Sequence, residues 1–127
     1  MSNLDEIISS LKGAIQDTAK GIATNITEEL MENTPVDTGF CASNWIPSKG
    51  DPFEGLAGSK TSRNDVNVDK GPQQSGLSSL ESYTLEDGDI FITNNTDYIQ
   101  KLNSGSSTQA PAGFIETAID VAINNWN

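Results

Sequence analysis

The first thirty or so residues limit most tightly what this chain can fold into. Leu4, Ile7, Ile8, Leu11, Ile15, Ile22, Ile26 and Leu30 recur at helical spacing, and Ala19 and Ala23 fall on the same stripe. Asp5, Glu6, Lys12, Asp17, Lys20 and Glu28 occupy the other side. The pattern predicts one amphipathic helix of about 30 residues, well beyond the globular average. Gly13 and Gly21 weaken it by about 1 kcal/mol each relative to alanine, and Glu28 and Glu32 repel at i, i+4. A partner surface must therefore hold the stripe, either the chain's own sheet or a neighbouring subunit. Asn33 as C-cap and Pro35 as stop end the helix.

The rest of the composition sets the scale. The 127 residues make a single domain, 1–127, able to bury roughly two-thirds of its unfolded surface. Only 35% of residues are hydrophobic and eight are aromatic (four Phe, two Trp, two Tyr), which suits a partly exposed, extended or assembly-dependent subunit. Eighteen acidic residues against seven basic ones give a net charge of −11, too acidic for a broad grip on phosphate backbones. No apolar run reaches the length of about 18 residues that a membrane span needs, and the start, MSNLDEII, lacks the pattern of a secretory signal. With Cys41 as the single cysteine and no histidine, an intramolecular disulfide, a His/Cys zinc site and a His-based triad are all excluded.

In chain order, Asp37-Thr38-Gly39 reads as a turn, with the carboxylate accepting from backbone N–H groups and Gly39 supplying an unrestricted φ. Phe40 to Ile46, with Trp45, reads as a strand that stops before Pro47. Residues 48–80 are rich in Gly, Ser, Asp, Asn and Lys and predict a long middle loop. Within it Val66 and Val68 suit a short strand, and Leu77, Leu80 and Tyr83 suit one face of a short helix.

Two motifs in this part fail on spacing. In GLAGSKT, residues 55–61, Gly58 is followed by Ser59 rather than Lys60, so no phosphate loop forms. Asp65-x-Asn67-x-Asp69 opens like a calcium loop, yet its glycine arrives one place late at Gly71 and its twelfth position is Gly76. The Asn25 and Asn94 sequons read as structural polar residues.

Residues 85–88 turn into the sharpest local grammar of the chain, Asp89 to Phe114. Ile90 to Thr93 reads as a strand, and Asn94-Asn95 ends it. Tyr98, Ile99 and Leu102 share the face of a short helix. A polar loop with Gly105 and Gln109 follows, and Pro111 opens the last helix. There Ile115, Ala118, Ile119, Ala122, Ile123 and Trp126 share a face, and Glu116 sits near the positive end. Trp126 belongs to the core or to a subunit contact.

The blocks TPVDTG, the strand with Trp45, DIFITNN, Tyr98-x-x-x-Leu102 and Gly105-x-Ser107-x-Gln109-Ala110-Pro111-Ala112-Gly113-Phe114 occur in an order that resembles the tailed-bacteriophage neck proteins, the tail-completion or head–tail joining group. The chain departs from that pattern at Phe40-Cys41, where an arginine-containing stretch is usual, and at Thr96-Asp97, where a more apolar pair is usual. The resemblance implies a structural virion protein and no enzyme. It implies a homo-oligomeric ring at the head–tail junction, with the portal or connector and tail proteins as neighbours. Double-stranded DNA would pass through without specific binding, and an acidic wall offers it few anchors.

The expected fold is α+β: a long N-terminal helix and a C-terminal helix packed on a small, mainly antiparallel sheet, with the 48–80 loop between. No catalytic, cofactor or metal site is expected. The residues expected to define the fold or a subunit contact are Asp37, Thr38, Gly39, Trp45, Asn94, Asn95, Tyr98, Leu102, Gly105, Gln109, Pro111 and Gly113, with the Asp37–Gly39 turn near the 103–113 loop. A tail-terminator or minor capsid subunit is the next reading. A small hydrolase with paired carboxylates assembled in space is a distant third.

Overall fold

The computed structural model describes residues 3–35, 39–105 and 112–126. Helix α1 spans Asn3–Asn33, 31 residues, or about 46 Å at 1.5 Å per residue. Asp5 and Glu6 lie in its first turn, where negative charge suits the helix dipole. At the far end Thr34 takes over: its N–H and its hydroxyl both donate to the Leu30 carbonyl, at 3.1 and 2.5 Å. Pro35 has no N–H with which to continue. Asn33 is the last helical residue, and its amide donates back to the Glu29 carbonyl at 2.8 Å.

The stripe on α1 is covered along only part of its length. Ala23 and Leu30 are buried, and Ile22 and Ile26 are half-buried. Leu4, Ile7, Ile8, Leu11 and Ile15 are 42–63% exposed. The body of the protein first reaches α1 near Gln16, whose Oε1 accepts from Leu85 N–H at 2.9 Å, and Lys20, whose Nζ donates to the Glu81 carbonyl at 3.1 Å.

Helix α5, Phe114–Asn124, packs chiefly on α1, and Ile92 of the sheet packs against the same core as Phe114 and Ala118. The close helix pairing follows from side-chain size. Ala118 and Ala122 are fully buried, and small residues at a contact allow two helix axes to come close. Trp126 continues the contact. A Cβ added at Gly21 would fall 1.8 Å from the indole Cη2, so Gly21 is where the ring lies and not merely a weak point of the helix.

The region after Gly39 differs from the expected strand. Phe40–Ser43 forms a short helix, α2, and strand β1 spans Ile46–Lys49, including Pro47. Polar side chains account for the difference: Ser43 Oγ and Asn44 Nδ2 both donate to the Phe40 carbonyl at 2.9 Å, offering the backbone a helical turn in place of a ladder. Pro47 is tolerated because β1 pairs on one edge only, antiparallel to β4, Ile90–Thr93.

The 48–80 stretch contains the expected short strand near Val66 and the short helix with Leu77 and Leu80, and one further strand. It holds a hairpin of β2, Ser59–Ser62, and β3, Asp65–Asn67, and then helix α3, Gly71–Leu80. α3 lies on β1, and a Cβ at Gly76 would sit 2.3 Å from the Pro47 carbonyl oxygen. Tyr83, buried just beyond α3, donates its hydroxyl to the Gly88 carbonyl at 2.6 Å.

The core gathers Leu30, Trp45, Leu102, Phe114 and Ala118 with Ile99, which opens the short helix α4, Ile99–Asn103. It therefore sits at the C-terminal end of α1. The class is α+β, with a long N-terminal helix, a C-terminal helix and small antiparallel sheets.

Candidate functional site

Among the described residues singled out from the sequence, Trp45, Asn94, Asn95 and Leu102 bond or pack within the body of the protein. Trp45 is buried, and its Nε1 donates to Thr34 Oγ1 at 2.7 Å, tying the exit of α1 to the entry of β1. Asn94 Nδ2 donates to the Cys41 carbonyl at 2.9 Å, while its Oδ1 accepts from Thr96 N–H and hydroxyl at 3.2 and 2.7 Å. Asn95 Nδ2 donates to the Phe53 and Gly55 carbonyls, each at 3.0 Å. The pair therefore ends β4 and ties two distant loops to it. Leu102 is in the core.

Gly39 and Gly113 precede α2 and α5 with φ of +82° and +79°, and Gly105 has φ +96°. Asp37, Thr38, Gln109 and Pro111 lie outside the described residues, as does most of the expected contact between the 37–39 turn and the 103–113 loop.

Three amides that sequence reading did not single out complete the frame. Asn103 clasps the start of α5: its carbonyl accepts from Gly113 N–H at 2.7 Å, its Oδ1 from Ile115 N–H at 2.9 Å, and its Nδ2 donates to both Glu116 carboxylate oxygens at 3.1 Å. Asn44 pairs with both backbone groups of Ala57, at 3.0 and 2.8 Å. Gln73 Nε2 donates to the Ala42 and Trp45 carbonyls at 2.8 and 3.1 Å. Amides among other polar residues carry no periodicity, so nothing in the sequence marks these three.

Tyr98 stands apart from this frame. The expected face shared by Tyr98, Ile99 and Leu102 is split: Ile99 and Leu102 are buried, whereas Tyr98 is 47% exposed. Tyr98 sits one residue before α4, so its ring escapes the buried face, and Lys101 Nζ lies 5.8 Å from the ring centroid, within cation–π range.

The Tyr98 ring borders a groove of about 520 Å³ between α2, the β2–β3 hairpin and residues 96–98. Phe40, Cys41 and Leu56 give it apolar walls, and Lys60 and Arg63 give it a basic rim. Asp97 is the one carboxylate among the lining residues. The groove thus carries two of the seven basic residues of a chain of net charge −11.

One carboxylate has a clear pKa displacement. The Thr84 N–H holds Asp87 below its ordinary value of 3.8, and Lys49 at 3.3 Å adds to that, against a smaller opposing effect of burial. Asp87 closes the capping box of the 3-10 turn at 85–87, a structural task. Among the described residues no cluster of three or more metal-ligating side chains occurs, and no helix is long and apolar enough to cross a membrane. No family model, no curated protein and no solved structure matches the chain.

Proposed function

We propose that this protein is a structural subunit of a tailed-bacteriophage particle. In this reading it forms an oligomeric neck ring between the head's portal or connector and the tail, and it borders the channel through which DNA leaves. The exposed apolar half-stripe on α1 carries the reading. Five large aliphatic side chains stay 42–63% exposed on one helix, and a contiguous apolar strip of that kind marks a protein contact.

Two further observations support it. The ordered blocks around Trp45, Asn94, Tyr98 and Gly113 resemble the neck-protein pattern. The net charge of −11 suits a wall past which DNA slides without being held.

The test is to purify particles and locate the protein, by labelled electron microscopy and by identifying the head and tail proteins that co-purify with it. Placement at the head–tail junction is expected. Absence from particles refutes the proposal. A Tyr98→Ala variant should keep its far-UV circular dichroism and melting temperature yet fail to enter particles, because the ring is exposed and outside the core. Loss of folding in that variant would reassign Tyr98 to the fold.

A further inference from the structure

Taking the chain to work as an assembled subunit, we infer that residues 3–15 of α1 dock into the Tyr98 groove of a second copy of the same chain. The stripe and the groove are complementary in three ways. In shape, Leu4, Ile8, Leu11 and Ile15 form a narrow ridge about 16 Å long at 1.5 Å per residue, with Ile7 on its flank, and the groove is a cleft of about 520 Å³.

In polarity, the ridge is aliphatic, and the groove offers Phe40, Cys41, Leu56 and Tyr98, of which Leu56 is 50% and Tyr98 47% exposed. In charge, the first turn of α1 carries Asp5 and Glu6, and the groove rim carries Lys60 and Arg63.

A ridge seated in the groove must come from another molecule. α1 is one continuous helix from Asn3 to Asn33, and its ridge residues are exposed in their own chain, so the ridge does not fold back onto its own body. Ridge and groove are different surfaces, which makes the contact head-to-tail. Such a contact closes into a ring when the rotation between copies permits and otherwise extends as a filament. A ridge-on-ridge pairing would instead be two-fold and stop at a dimer.

Complementation between two variants tests this. A ridge variant, Ile8→Ser with Leu11→Ser, keeps the groove; a groove variant, Lys60→Glu with Arg63→Glu, keeps the ridge. All four positions are exposed, and circular dichroism should show both variants folded. By light scattering after size exclusion the wild type should assemble, and each variant alone should remain at 13.5 kDa. An equimolar mixture should double that mass and go no further, because one good ridge meets one good groove.

A groove variant that assembles like the wild type overturns the inference, and a ridge variant that alone stays monomeric then indicates ridge-on-ridge pairing. A mixture that stays monomeric also overturns it. The virion reading fails on different evidence: if both variants still enter particles at the neck, docking is wrong and the virion reading stands. A wild type that stays monomeric at every concentration and never enters particles removes both.

Discussion

Replacing Thr34 by valine tests whether the Trp45 anchor works as described. Thr34 is 2% exposed, and its hydroxyl both donates to the Leu30 carbonyl and accepts from Trp45 Nε1 at 2.7 Å. Valine keeps the shape and removes the oxygen. The Leu30 carbonyl retains the Thr34 backbone N–H at 3.1 Å as a donor. The indole N–H loses its acceptor, Thr34 Oγ1, in a side chain only 6% exposed. Leaving one buried donor unmet costs about 1–3 kcal/mol, so the expected loss is about 2 kcal/mol. For a domain of this size that lowers the melting temperature by roughly 8 °C.

Urea unfolding followed by circular dichroism at 222 nm reads the change, with an unaltered m-value showing that the unfolded state has not shifted. Two controls separate the hydrogen bond from packing. Thr34→Ser keeps the oxygen and loses one buried methyl, about 0.8 kcal/mol. Trp45→Phe in the Thr34→Val background removes the orphaned N–H itself, so the double variant should cost about 1–2 kcal/mol less than the two single losses added together. Strict additivity, or a Thr34→Val loss below about 0.5 kcal/mol, would refute the anchor. Assembly below the melting transition should be unchanged, since neither residue lies on the ridge or in the groove.

The remaining predictions concern single positions. Gly76→Ala should destabilise by about 1–2 kcal/mol, because a methyl group meets the Pro47 carbonyl at 2.3 Å and overpacking outweighs the gain in helix propensity. Gly13→Ala, with nothing within 4 Å, should instead raise helicity and never destabilise; the two variants moving in the same direction would contradict the packing of α3 on β1. Asn95→Ala should speed amide hydrogen exchange around 53–57 while leaving the core protected, since its two bonds go to Phe53 and Gly55.

Asp87 has a depressed pKa, so its contribution is present above the ordinary value of 3.8 and is lost as pH falls through the folded value. Asp87→Asn should therefore lower the melting temperature at neutral pH, and the difference should close on acidification below that value. A gap that widens in acid would reverse the assignment.

How far the sequence could be read depended on whether a segment's partner leaves a period in the chain. The α1 stripe, the Ile90–Thr93 strand and the α5 face have such a period, and all three elements are found. The Ser59–Ser62 strand is exposed at every residue, so it shows no alternation. The α2 turn replaced an expected strand because Ser43 and Asn44 fold back on Phe40, a choice made by hydrogen bonds and not by hydropathy. Of the residues picked for the site, Trp45, Asn94 and Asn95 were recognisable as single polar or aromatic punctuation. The groove was not, because it draws on α2, Leu56, the hairpin and residues 96–98, four segments that share no motif.

The deepest ambiguity lies within α1. Its apolar period runs unbroken from Leu4 to Leu30, and periodicity cannot say which part the chain covers for itself. The structure draws the line at Gln16, Lys20 and Gly21, where Leu85, Glu81 and Trp126 arrive. Beyond that line Leu4, Ile7, Ile8, Leu11 and Ile15 keep the same pattern while facing solvent. A helix end with two free faces would hold itself better with polar residues on both. That it does not is the physical reason to look for the missing surface on another molecule.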